Sequence, residues 1–357
     1  YKHEDLPEQR WQLYQKSTDV LLENWEVKRK SITLDDIPLD IKIRAAQKAE
    51  ILQRVAMYML QHGQKGRELN AIAFNSLVNI LTNYIVERFE KSYGDAEVTA
   101  EGILNHLRER TYILAEIGER IFGFVHRTFM EFFAASYVLA EFNQRKADYE
   151  WLIKNIYLAN WSQDDWREVL FLLIAMLASQ KSPIDDIIAS MAQHNARTYP
   201  GALPFAARCL AEAGVTENVA LAHKLLHELA LSIRWAGRQQ KEIRDLLTTE
   251  YIEAFTLLAP RYGVANQTLQ LIADMENSKQ IHLRVSAWQM GLALRSKRER
   301  LHYAIVALNH EQEAVQRGAI ASLEREWTGN TSAKSALLSV VKGYHHVRVK
   351  QYALGTL

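Results

Sequence analysis

The sequence predicts a mostly α-helical chain: a small helical domain with one β-hairpin, followed by stacked pairs of helices. Three observations predict it. Fifteen glycines and six prolines in 357 residues are about half the usual share, too few for the turns of a sandwich or barrel. Apolar residues recur at the three-to-four spacing of a buried helix face through most of the chain. Only one short region, near residues 112–125, breaks that spacing with β-prone runs.

The elements follow in order. Asp5-Leu6-Pro7-Glu8 reads as a helix start, with an acidic cap, a proline whose missing N–H costs nothing there, and a carboxylate near the positive helix end. Trp11, Tyr14, Thr18, Leu21, Leu22 and Trp25 form one helix face. The polar stretch from Lys28 to Asp40, with Pro38, reads as a boundary. A long amphipathic helix then turns Ile41, Ala45, Leu52, Val55, Ala56, Met59 and Leu60 inward, and Gly63 stops it. Two more helices are expected over 71–91 and 99–110. Tyr112–Leu114 and Ile121–Val125 are the β-prone runs, and Gly118 between them supplies the positive φ of a hairpin turn. Helices followed by one hairpin suggest a winged helix. The helix over 99–110 would then be the one such domains lay in the DNA major groove. It carries His106, Arg108 and Arg110 but also Glu101 and Glu109, so DNA reading by it is not expected.

Arg127–Phe142 is apolar on nearly every face, as a helix buried between other elements is. From Trp151 onward only helices are expected, over 151–158, 166–177, 184–193, 203–213, 219–235, 241–258, 267–277, 283–295, 299–308, 315–327, 332–343 and 347–357. Short helices with short polar connections cannot bury their apolar faces alone and must stack. The last three pairs carry a repeat: Leu283-Arg284, Val315-Gln316-Arg317 and Val347-Arg348 lie 32 residues apart, followed by Ala287, Ala319 and Gln351 and then by Trp288, Ile320 and Tyr352. The pattern resembles the inner helix of HEAT repeats, V-R-x-x-A with a later A-L. That resemblance implies an α-α superhelix in which arginine ties one repeat to the next. Leu203–Leu210 looks like an earlier, degenerate member.

Composition bounds the chemistry. With 48% apolar residues the chain can bury a sizeable core and make two or three domains. One cysteine, Cys209, excludes a disulfide framework and a multi-cysteine zinc site, and fits a reducing compartment. The longest apolar run, Val169–Ala178, is about half a membrane span. The chain starts at Tyr1 without methionine and reads as a piece of something longer. Residues 281–357 hold eleven Lys/Arg against five acids, a net +6, which leaves −5 for residues 1–280. Such a basic end suits an anionic partner, nucleic acid included, with Arg284, Arg317 and Arg348 as contacts. The plainer reading is a solvated surface, or one that docks on the acidic remainder.

No catalytic constellation stands out. There is no G-x-x-x-x-G-K-[ST] loop; His62-Gly63-Gln64-Lys65-Gly66 has the glycines at the wrong spacing, and Leu34-Asp35-Asp36 is too polar for a buried strand. His223 and His227 are four apart, a metal-compatible spacing, but lack a third ligand and read as surface histidines, so no metal is expected. His345-His346 reads as a turn. Cys209 reads as a core thiol. Asp35/Asp36, Asp164/Asp165 and Asp185/Asp186 sit at helix starts, where capping accounts for them.

One motif is specific. Tyr112-Ile113-Leu114, a hairpin, then Gly123-Phe124-Val125-His126-Arg127-Thr128-Phe129-Met130-Glu131-Phe132-Phe133-Ala134-Ala135 resembles the end of the winged-helix domain in NACHT-family NTPases, where the pattern is F-x-H-x-T-F-x-E-[YF]-[FL]-A-A. The family belongs to the STAND class of signalling ATPases and includes animal NOD-like receptors and bacterial antiphage proteins. Leu6-Pro7, Arg10, Leu13-Tyr14, Leu21-Leu22 and Trp25 look like the helical segment before that domain; Trp166-Arg167-Glu168-Val169-Leu170 looks like the W-R-E-V segment after it.

The resemblance implies a division into 1–30 (the end of the NTPase-associated helical domain), 31–145 (the winged helix) and 146–357 (HEAT-like repeats). It implies that His126 reaches the β-phosphate of ADP held in the parent's NTPase domain, which helps lock the resting state. Without the resemblance, His126 would merely hydrogen-bond inside the wing. Phe129, Phe132, Phe133 and Glu131 read as packing and helix-end residues either way. The NTPase core itself would lie before Tyr1, so this chain is expected to be no enzyme and to hold no cofactor; ATP or ADP with Mg belongs to the parent. The expected partners are that NTPase domain, a trigger ligand or protein on the helical repeats, and further copies in an activated oligomer, all in the cytoplasm. A nucleic-acid-binding module and a plain protein scaffold are the alternatives.

Overall fold

The computed structural model describes residues 9–27, 44–63, 70–108, 113–145, 148–194, 201–214, 218–236, 239, 241–343 and 345–356. The helix start at Asp5–Glu8, the boundary from Lys28 to Asp40 with Ile41, and the Asp35/Asp36 pair lie outside these residues. The chain divides into two compact units, Tyr1–Ile187 with Glu212–Gly214, and Ile188–Ala211 with Val215–Leu357.

The first unit opens with α1 (Arg10–Val27) and α2 (Ala45–His62). Leu52, Val55, Ala56, Met59 and Leu60 of α2 are buried as the spacing requires. Gly63 caps α2 in an extended conformation, its N–H donating to Met59 O. The expected helix from residue 71 starts later, because Ile72–Ala73 form a strand, β1, before α3 (Phe74–Phe89). Two residues carry no alternation for a sequence reading to detect. Helix α4 (Tyr93–Arg108) begins six residues before the expected Thr99. Ser92 sets that start: its Oγ accepts from Asp95 N–H at 3.3 Å and donates to Asp95 Oδ2 at 2.6 Å.

The hairpin is present, with shifted ends. Strands β2 (Leu114–Gly118) and β3 (Ile121–Phe124) flank a two-residue turn, and β1 pairs antiparallel with the far side of β3, giving the order β1-β3-β2. The left-handed residue of the turn is Arg120, φ 54°, not Gly118. Glu116 Oε1 holds the Arg120 N–H at 3.0 Å, which steadies a conformation that L-residues seldom adopt. The glycine that matters is Gly123. A Cβ there would stand 2.4 Å from Asn70 O. Asn70 needs this approach because its amide clips the strand: Phe124 N–H donates to Oδ1 at 3.0 Å, and Nδ2 donates to Phe124 O at 2.6 Å.

Helix α5 (Arg127–Arg145) follows β3 after two residues. It buries Met130, Phe132, Phe133, Ala134, Ala135, Val138 and Phe142 and packs against α1, α2 and α8 (Asp164–Ser179). Between α5 and α8 the expected helix splits into α6 (Tyr149–Trp151), a π-helical turn (Leu152–Tyr157) and α7 (Leu158–Asn160). The turn sinks Tyr157, whose hydroxyl donates to Leu170 O at 3.3 Å.

After α9 (Asp185–Gln193) and α10 (Leu203–Ala213), the second unit runs through α11 (Val219–Ala236), α12 (Lys241–Tyr262), α13 (Asn266–Glu276), α14 (Ile281–Ala293), α15 (Lys297–Ala307), α16 (Glu313–Trp327), α17 (Thr331–Lys342) and α18 (Val347–Thr356). Neighbours in sequence pair as α11/α12, α13/α14, α15/α16 and α17/α18, and α12, α14, α16 and α18 pack successively in one layer. The structure is mostly helical, as predicted.

The repeat needs one correction. Helices α14, α16 and α18 start after Gln280, Gln312 and His346. Each of these carbonyls accepts from the third and fourth residues of its helix: Leu283 and Arg284, Val315 and Gln316, Val349 and Lys350. The buried pairs are Leu283/Ala287, Val315/Ala319 and Val349/Ala353. The second step is therefore 34 residues, not 32, and Val347 is 65% exposed. Gln351 is not a lapsed alanine; Ala353 holds that place.

Candidate functional site

His126 sits between β3 and α5. Its carbonyl accepts from Phe129 N–H at 3.0 Å, so its main chain starts the helix. Its imidazole is exposed and tilts toward the Phe129 ring, centroids 5.9 Å apart. Among the described residues no hydrogen bond holds that ring. Ile117 (57% exposed), Ile121 and Val125 lie exposed on the same hairpin, and the irregular register between Glu116 and Gly118 is what frees Ile117 from strand pairing.

Beneath this edge lies a charge cluster that the sequence reading missed. Arg127 donates through Nε to Glu131 at 2.9 Å and through Nη2 to Asp165 at 3.2 Å. Arg10 donates to Glu168 at 2.7 Å and pairs with Glu212 at 3.0 Å. Burial holds the Glu131 carboxyl above the usual carboxylate range, against the pull of Arg127. Burial raises Glu168 likewise, against Arg10. Tyr14 of α1 meets Phe132 of α5, ring centroids 6.2 Å apart. Thus the segment around Arg10 and Tyr14, the motif from His126 to Phe133, and the segment around Glu168 all meet at one place. Glu131 is more than a helix-end residue. Opposite charges in three segments were the available signal; their pairing needed the fold.

Residues 10–138 match the family described as the winged helix-turn-helix domain C-terminal to NACHT. Over these residues the chain is similar to the winged helix that follows NACHT. Its helices α1–α5 and three-stranded sheet fall inside or across the match. No curated protein matches the chain. The matched residues take in the hairpin, Gly123 and the aromatic start of α5, while α8 and the stacked pairs lie beyond them.

The other predicted residues take plain positions. Asp164 and Asp165 stand in the first turn of α8, whose cap is Gln163, so Asp165 serves Arg127 and not a cap. His223 and His227 are half-buried and engaged, with Tyr262 O at 3.0 Å and Thr268 Oγ1 at 3.1 Å, so they are not surface histidines. Among the described residues no group of three metal-ligating side chains forms, and no helix is long and apolar enough to cross a membrane. Cys209 is buried. Side chains of His106 and Arg108, and the whole of Arg110, lie outside the described residues.

Arg284, Arg317 and Arg348 lie near the starts of three successive stacked helices. Arg284 Nη1 donates to Ser278 O at 2.7 Å, in the connection that enters its own helix. Gln316, one pair later, does the same to His310 O at 2.7 Å. The arginine of the V-R pattern therefore binds within its own pair. Arg317 faces Glu313 at 3.6 Å. Arg348 is exposed.

Proposed function

We propose that this chain is the regulatory and sensor region of a NACHT-family signalling NTPase, acting in the cytoplasm in antiphage or innate-immune-type defence. The stacked pairs act as a HEAT-like sensor arm that takes the trigger, and the winged helix carries its signal to the NTPase domain of the same parent. ATP or ADP with Mg is bound by that domain, and hydrolysis belongs to it, not to this chain. A trigger shifts such a switch only by binding its open state more tightly than its closed one.

The single observation that carries the reading is the exposed imidazole of His126, fixed at a strand–helix junction beside exposed Val125 and Ile121. A ring placed there can donate to a phosphate oxygen of another domain while the apolar side chains dock around it. The test is made in the parent protein. His126→Ala should lower the fraction purified with ADP and raise basal signalling. An unchanged ADP content would return His126 to a local role. Separately, the chain alone should not hydrolyse ATP, and turnover above a buffer control would defeat the division of labour.

Nucleic-acid binding by Arg284, Arg317 and Arg348 draws less support, since the first two already have partners. Steeply salt-dependent binding, lost when all three become glutamate, would revive it.

A further inference from the structure

The inner helices α14, α16 and α18 share one seam, and a single buried core runs along it from Trp288 through Val315 and Ile320 to Val349 and Ala353. The eighth residue after each helix-starting carbonyl shows how one inner helix meets the next. In α14 it is Trp288, buried against α16, where a Cβ on Gly318 would stand only 3.0 Å from its ring. In α16 it is Ile320, fully buried. In α18 it is Leu354, and Leu354 is 63% exposed. Its exposure breaks a series of buried side chains, which sets it apart from the scattered exposed leucines of an ordinary surface.

Leu354 does not stand alone. Val347, also exposed, lies seven residues earlier on the same face of α18, with Lys350 and Gln351 between them on that face. The charge around the face has one sign. Residues 328–357 hold Lys334, Lys342, Arg348 and Lys350 and no Asp or Glu. Two copies meeting through this face would set cation against cation, so it does not suit self-association. An anionic membrane or a nucleic-acid strand would match the charge alone. Neither matches the seam, in which the equivalent side chain of α14 is covered by a helix.

We propose that the Val347–Leu354 face of α18 docks an amphipathic helix of another protein, one whose apolar stripe is bordered by Asp and Glu. That helix lies against α18 as α16 lies against α14. Leu354 enters its apolar stripe, and Arg348 and Lys350 meet its acids. The proposal rests on the packing of the second unit and stands apart from the NACHT-family reading.

The test titrates the full chain into a dye-labelled synthetic peptide and follows fluorescence anisotropy. The peptide has the sequence of residues 312–328, which is inner helix α16 with its flanks, carrying Arg317→Glu and Arg325→Glu; this leaves five acids and no base. Saturable binding that weakens as salt rises is expected. Leu354→Asp changes an exposed side chain, so the chain should fold, and it should weaken binding at least about tenfold, while Leu354→Met should bind as the unaltered chain does. Arg348→Glu should weaken binding at low salt and lessen its salt dependence. Phosphatidylserine vesicles and a DNA duplex are titrated alongside, and the chain alone is sedimented. The proposal is overturned if the peptide does not bind, if it binds the Leu354→Asp chain as tightly as the unaltered one, or if a control peptide with lysine at the five acidic places binds equally well. Tighter binding of vesicles or duplex than of the peptide also overturns it, as does a dimer that Leu354→Asp dissolves.

Discussion

Arg284 and Gln316 stand at the same place in successive helix pairs and make the same bond, each reaching a main-chain carbonyl six residues back at 2.7 Å. Two different side chains thus fasten the start of an inner helix to the connection that feeds it. Arg284→Ala should cost about 1 kcal/mol in urea unfolding, and Arg284→Gln should recover most of it. Equal losses for the two variants would show that the arginine matters for its charge and not for this bond.

Gly123 is fixed by the approach of Asn70. Gly123→Ala drives a methyl into a main-chain oxygen that cannot swing aside, so a loss of at least about 2 kcal/mol is expected. Asn70→Ala removes both bonds to Phe124 and should cost a similar amount. Thermal melts of the two variants and their double mutant should show a loss smaller than the sum, because both damage one contact.

Glu131 makes stability depend on pH in a definite direction. Its folded carboxyl titrates above the unfolded value, so its contribution is complete at low pH and fades as pH rises through the folded value. The melting temperature of the parent chain relative to Glu131→Gln should therefore fall as pH climbs from the acid range toward neutrality. A difference that grows with pH would mean that Arg127 outweighs burial.

Two valines test the register of the last helix. Val349→Ala should cost about 2 kcal/mol, since Val349 is buried with Ala353. Val347→Ala should stay within about 0.5 kcal/mol. The reverse order would restore the even 32-residue spacing.

The helices of the second unit were legible to within about two residues, because each repeats apolar side chains at helical spacing and ends in a polar connection; the exception is α12, which runs four residues past the expected Leu258, through Pro260 to Tyr262. The hairpin was legible from its β-prone runs, but its turn was misplaced: Arg120 takes the left-handed position because Glu116 secures its N–H, a cross-turn bond that glycine statistics do not anticipate. Strand β1 escaped notice because two residues carry no period, and its pairing depends on β3 some fifty residues away. At the candidate site the motif pointed to His126, while the partners of Arg127 and Arg10 could not be read, since ion pairs between α5, α8 and α1 follow from packing.

The uneven step from Gln312 to His346 has a broader meaning. Every inner helix takes its rotational setting from the carbonyl just before it, so the two surplus residues, carried by the longer α16 and α17, leave the aliphatic–alanine seam undisturbed. Growth at the far end of a helix is silent to the seam. An array assembled in this way can drift in length during evolution while its seam stays in phase, and a ruler of fixed pitch laid along the chain will misassign residues wherever a helix has lengthened.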